Sequence, residues 1–190
     1  MDALTLLTQR KSNKKLTAPA PSQVQLEQMF QAALHAPDHG KLEPYHFVVI
    51  QGTGLSKLES LFKAAVAEFK LGKERLKKTE NFARRTPMVI AVIAKINHEV
   101  KKVPGWEQML TAGAATYAIQ LAGNALGFES FWATGPLVEG RELREAFGLP
   151  TIRTARCSSR FRRWTIPAMW VVSALAASTA ARCAVANRCC

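Results

Sequence analysis

No cysteine occurs before residue 157, no glycine after 148 and no acidic residue after 145. Without thiols, residues 1–150 hold neither a disulfide framework nor a cysteine-ligated zinc site, and the pattern agrees with a reducing compartment. Cys157, Cys183, Cys189 and Cys190 lack a paired CxxC spacing and read as oxidation liabilities rather than ligands. No Ser-His-Asp arrangement, metal-ligand cluster or phosphate-cradling glycine loop is evident, and Gly52 and Gly54 read as a turn. The uncharged run from Trp164 to Ala181 contains Pro167 and many small or polar residues. It falls short of the ~20 predominantly apolar residues of a spanning helix, which leaves a membrane anchor as an outlying alternative. Met1-Asp2 opens directly into an amphipathic segment, so no signal peptide is expected and a cytoplasmic location follows.

What is present is enough for one sizeable core: 190 residues, 48% hydrophobic. The formal charge is +12, a value that invites a nucleic-acid reading. Its distribution argues otherwise. Residues 1–150 carry 19 Lys and Arg against all 14 acids, a net of +5, whereas the last 40 carry seven Arg and no acid, a net of +7. The shift is abrupt after Gly148-Leu149-Pro150 and the tail lacks caps, turn glycines and a clear period. Two regions are therefore expected: a folded domain over 1–150 and an aberrant Arg/Ala/Cys-rich tail over 151–190, read as an out-of-frame ending. The competing reading is a genuine basic arm that binds nucleic acid or an anionic membrane.

Asp2 can cap a first helix carrying Leu4, Leu6 and Leu7. Ser22-x-x-Gln25 reads as a capping box before Leu26, Met29, Phe30, Ala33 and Leu34, and Pro37 stops that helix. A strand from Tyr45 to Gln51 follows, with Tyr45 and His46 on opposite faces. Ser56-x-x-Glu59 reads as the cap of a third helix whose inner side is Leu58, Leu61, Phe62, Ala65, Val66 and Phe69. Residues 73–86 are charged and read as a surface helix or excursion. Met88 to Ala94 predicts a strand buried on both faces. Trp106 to Leu126 predicts a long helix, apolar nearly all round, suited to a core or a subunit interface, with Gly127 as its left-handed cap. A strand over Glu129–Ala133 and a short helix over Arg141–Phe147 complete an α+β order, one sheet between helices.

Two stretches carry chemistry. Arg10-Lys11-Ser12 closes the first helix; the guanidinium can grip phosphate or carbonyl oxygens in two places and the hydroxyl adds a donor, although a dipole-stabilised basic helix end is the plainer reading. Ala36 to Ile50 joins helix to strand through a loop dense in donors and rings, which can hold a flat heteroaromatic ligand or be an ordinary connection.

Together these stretches resemble the FMN-dependent NAD(P)H nitroreductase family, and its small YdjA-like subgroup in particular. The resemblance is carried by Arg10-Lys11-Ser12, Ala36-Pro37-Asp38-His39, Pro44-Tyr45-His46-Phe47, Val103-Pro104-Gly105-Trp106-Glu107-Gln108 and Phe131-Trp132-Ala133-Thr134-Gly135, in that order over residues 1–150. It implies a nitroreductase-like sheet and a homodimer with FMN at the interface. Arg10, Lys11 and Ser12 would come from one subunit and His39 from the other. His35 stands where the family pattern has arginine, and Tyr45 where it has tryptophan. Trp132, Ala133 and Thr134 would run beside the isoalloxazine ring, and Ala122, Gly123, Asn124, Ala125, Leu126 and Gly127 match a segment associated with the nicotinamide nucleotide. NADH or NADPH would give hydride to flavin N5, which carries the chemistry without a titrating residue, and a nitroaromatic or quinone-like acceptor would follow. Another flavin reaction on the same scaffold, such as reductive dehalogenation, is the alternative within the family. Because the family continues past the last short helix with a further strand, the altered tail predicts a missing C-terminal strand, an exposed sheet edge and weakened FMN binding and dimerisation.

Overall fold

A computed structural model describes residues 2–149 and the segment 169–177. The expectations for Cys157, Cys183, Cys189, Cys190 and the run 153–163 lie outside the described residues.

Helix α1 (Ala3–Gln9) is capped by Asp2, whose side chain accepts from the Thr5 amide at 3.0 Å. Helix α2 (Gln23–Leu34) begins with both halves of the expected box: the Gln25 amide donates to Ser22 Oγ, and Gln25 Oε1 accepts from the Ser22 amide. Strand β1 (Tyr45–Ile50) leads to α3 (Thr53–Glu68), then α4 (Gly72–Thr79), α5 (Phe82–Arg85) and β2 (Val89–Ala94). Helix α6 (Gly105–Ala125), β3 (Phe128–Ala133), α7 (Pro136–Glu139), α8 (Arg141–Ala146) and β4 (Met169–Ala177) follow.

The sheet order is β1-β2-β4-β3 with every pair antiparallel. Here the expectation of a missing C-terminal strand is overturned. Segment 169–177 lies inside the sheet, with Val89 opposite Ser173 on one side and Trp132 opposite Val172 on the other. Ladder bonds on both sides satisfy its backbone, so the loss of a strand no longer argues against a stable fold.

All six β2 residues are buried, and their alternation divides two cores. Ile90, Val92 and Ala94 face Met29, Ala115 and Ile119 of α2 and α6. Val89, Ala91 and Ile93 face Leu58, Phe62 and Leu143 of α3 and α8. Each fully buried large aliphatic chain contributes ~1.5–3 kcal/mol, so β2 is the staple that joins both layers. Helix α6 is 21 residues long, about 31 Å, and spans the first layer.

The third helix departs from its expected cap. It starts at Thr53, three residues before Ser56, because Gly52 takes φ 56° and turns the chain early. Glu59 is then free for other work: it pairs with Lys63 at 2.7 Å and accepts from the Ala83 amide at 3.0 Å, tying α5 to α3. Phe69, expected inside, is exposed at the helix end.

The Lys63 hydrogen bond, followed by the Ala83 amide, holds the Glu59 carboxyl below its ordinary pKa. A lowered folded pKa means the unfolded chain binds protons first, so this contribution is present above the unfolded value and is lost as pH falls through the folded one. Glu59→Gln is expected to cost about 1–2 kcal/mol at neutral pH. Urea unfolding at neutral and strongly acidic pH should show the gap between variant and parent closing in acid.

Candidate functional site

Beyond α1 the chain runs along the outer edge of β3. Ser12 forms a parallel bridge with Ser130, the Asn13 amide donates to the Ser130 carbonyl at 3.0 Å, and the Asn13 side-chain amide meets the Glu129 carboxylate. This pairing sets Lys11 and Ser12, both exposed, beside the strand that ends in Trp132 and Ala133.

The Arg10 guanidinium sits 5.8 Å from the centre of the Tyr117 ring on α6. Its Nε and Nη1 are buried and meet no hydrogen-bond acceptor among the described residues. Enclosed N–H donors left without an acceptor cost ~1–3 kcal/mol each, and the cost is relieved by a ligand that presents anionic or carbonyl oxygens. The Trp132 ring lies over Gly113, where a Cβ would meet it at 3.8 Å. Gly113 and Tyr117 are one turn apart, ~6 Å along the axis, so Arg10 and Trp132 converge on adjacent turns of α6.

Trp132, Ala133 and Thr134 also line a groove of about 1200 Å³ that opens between the N-terminal strand-like segment and α3–α5. Its apolar lining includes Leu55, Phe62, Phe82 and Phe131. Gly135, just beyond, has φ 109°, and a Cβ there would meet nothing within 4 Å, so the backbone conformation and not crowding calls for glycine. The described lining begins at Lys14, two residues beyond Ser12, and includes neither Arg10 nor Ser12.

His39 lies elsewhere. Its Nδ1 is 2.7 Å from Glu107 in the first turn of α6, and its side chain is 62% exposed. The supporting loop is unusual: Gly40, Lys41 and Glu43 all have positive φ (81°, 50° and 46°). Strain of this kind persists only where surroundings enforce it and clusters at ligand sites. Here the Asp38 carboxylate accepts from the Glu43 amide at 2.7 Å and Thr111 Oγ1 donates to the Pro37 carbonyl at 3.0 Å. Glu107 thus leaves Nε2 of His39 facing outward. Glu107 and Tyr117 are ten residues apart on α6, about 15 Å, so one chain does not bring His39 to Arg10.

His35 is the exposed end of α2. Tyr45 is a packing residue: buried, stacked on Phe47 at 5.0 Å, with Phe47 stacked on Phe30 at 5.2 Å. Burial, then Glu43 and Asp38, raise its pKa, which keeps the phenol neutral. Within Ala122–Gly127, Gly123 is buried, Ala122 and Leu126 pack on the first core, and Gly127 makes the left-handed cap at φ 87°. None of these six lines the groove.

Matching of the chain to the nitroreductase family is direct over residues 7–158. The chain belongs to the nitroreductase family. A Haemophilus influenzae protein named as a candidate NAD(P)H nitroreductase is 65% identical over 148 residues, covering 78% of this chain and 80% of that protein. YdjA of Escherichia coli K12, named likewise, is 40% identical over the same length and the same shares. A solved structure from Clostridium difficile, titled an FMN-dependent nitroreductase, superposes with a TM-score of 0.60 at 21% identity, covering 93% of this chain and 87% of that one.

In this nitroreductase the donor set fits the FMN that the family resemblance implies: a half-buried guanidinium with two enclosed, unmet donors, a neighbouring hydroxyl and an aromatic-walled cleft. Two contributors escaped the sequence reading. Glu107 stood inside a quoted motif without a role, since its partner His39 is 68 residues away. Gln108 is buried and pins the 97–103 loop: its Nε2 donates to the Asn97 and Val103 carbonyls at 2.9 Å each, and Oε1 accepts from the Asn97 amide at 2.7 Å. Gln108→Ala orphans all three and is expected to cost ~2–4 kcal/mol, measured as the drop in urea-unfolding free energy.

Proposed function

We propose that the chain is a homodimeric, cytoplasmic FMN-dependent oxidoreductase that uses NAD(P)H to reduce nitroaromatic or quinone-like acceptors. The observation that carries this reading is the half-buried Arg10 beside Tyr117, two of whose guanidinium nitrogens are enclosed without an acceptor among the described residues, two positions before the Ser12–Ser130 bridge. FMN held there would supply two-electron hydride chemistry. Arg10 and Ser12 would grip its polar oxygens, Trp132 to Thr134 would flank its ring, and Gly135 would let backbone approach.

The dimer is supported by an apolar face that no described residue of one chain covers. Trp106 (61% exposed), Leu110 (65%) and Tyr117 recur along α6, and Leu4 (73%) and Leu7 of α1 lie beside them. Two α6 helices packed antiparallel about a twofold axis would bury this stripe. The same operation carries His39 of the partner subunit toward Arg10, closing the 15 Å gap that α6 imposes within one chain. No described helix is long and apolar enough to cross a membrane.

Complementation tests the shared pocket. Mixed dimers of Arg10→Met and His39→Ala chains contain one pocket with both lesions and one with neither. They should regain FMN affinity and NAD(P)H-driven acceptor reduction that neither parent shows. A mixture no better than the average of its parents would exclude a pocket built from two chains.

A further inference from the structure

Six cations line the groove: Lys14, Lys15, Arg75, Lys78, Arg84 and Arg85, with no carboxylate among its described lining. Lys78 pairs with Glu74 at 3.1 Å. The other five form no ion pair among the described residues. The last acidic side chain in the sequence is Glu145. Arg85 is held in place, its Nη2 donating to the Lys78 carbonyl at 2.6 Å where α4 ends. Arg84 precedes it in the same short turn, α5.

A lone surface lysine is simply solvated. Five uncompensated charges around one concave, aromatic-floored space repel one another and raise the local potential for anions. Anchored Arg85 and its neighbour Arg84 add the forked geometry that reads phosphate oxygens in pairs. Phe62 and Phe82 beneath them offer the apolar surface that a heteroaromatic ring takes. The groove, at about 1200 Å³, also exceeds the ~300–1,000 Å³ usual for one small ligand, so it has room beyond a flavin.

NADPH differs from NADH by a single phosphate on the adenosine 2′-oxygen. We propose that the Arg84–Arg85 rim of this groove binds that 2′-phosphate and makes NADPH the preferred reductant. This selectivity rests on the reading of the groove as the flavin cleft.

The experiment is equilibrium binding of NADP⁺ and NAD⁺ to the FMN-supplemented full chain at low salt, so that no turnover enters the result. The expected outcome is NADP⁺ bound about tenfold or more tightly, with the gap reduced to about twofold in Arg84→Gln/Arg85→Gln and FMN affinity unchanged. The charge-keeping Arg84→Lys/Arg85→Lys variant should fall between. Should the glutamine pair fail to fold, the parent alone decides, because adenosine 2′,5′-bisphosphate must displace NADP⁺ more effectively than AMP. Equal binding of the two nucleotides, or equal competition by the two adenosine probes, overturns the selectivity while leaving the flavin reading intact. Loss of FMN affinity in the glutamine pair with nucleotide preference retained would reassign the rim to the flavin phosphate and overturn it as well. A chain that neither holds FMN nor reduces it with either nucleotide would overturn both.

Discussion

Replacing Arg10 with methionine is expected to weaken FMN binding about 10–100-fold, while the ligand-free chain becomes no less stable. The two effects have opposite signs for one reason. Without a ligand, Nε and Nη1 are enclosed against no described acceptor, so these two donors are a cost to the fold that a methionine removes. The thioether chain keeps the contact with the Tyr117 face at which Arg10 now sits. With FMN bound as proposed, the same group would supply charge-assisted hydrogen bonds worth ~1.5–3 kcal/mol, which is the predicted loss in affinity. Flavin titration and urea unfolding of the ligand-free chain separate the two. A structural arginine would behave otherwise: its loss would lower stability and leave flavin affinity alone.

Leu110→Glu is expected to convert the proposed dimer to monomers and to take flavin affinity with it. Leu110 is more than half exposed in one chain, between Trp106 and Tyr117 on the α6 stripe. Burying a leucine gains ~1.5–3 kcal/mol, and the twofold axis counts the residue twice, so the interface loses ~3–6 kcal/mol. That weakens self-association by roughly two to four orders of magnitude, before the repulsion of facing carboxylates is added. Light scattering gives the mass and flavin fluorescence the affinity. The unfolding free energy of the separated chain should change little, because an outward position holds no part of either core.

Local signals were the legible part of this fold. Asp2, the Ser22–Gln25 box and the Gly127 cap each act over three or four residues, and each is where the pattern places it. Strand β2 announced itself as an unbroken apolar run because both faces are covered. Ser56 and Glu59 misled because a capping pattern is necessary and not sufficient: Gly52 had already turned the chain, and Glu59 found Lys63 and Ala83 instead. The position of β4 was illegible, since strand pairing is nonlocal and the tail has none of the glycine punctuation that marks strand ends elsewhere. The site divides the same way. Arg10, Ser12 and Trp132 are candidates through family resemblance, and the β3 edge pairing sets Ser12 beside the strand that carries Trp132. Glu107 and the Arg84–Arg85 rim draw their meaning from partners far along the chain, which no spacing reveals.

The most direct test of the account is a titration of the purified full chain with FMN, reading bound flavin and molecular mass in one sample before adding NADPH without oxygen. The account predicts one FMN held per chain in a dimer, bleached by the nucleotide and restored to colour by a nitroaromatic or quinone. A folded chain that remains colourless after FMN is added and unbound flavin is removed would contradict it.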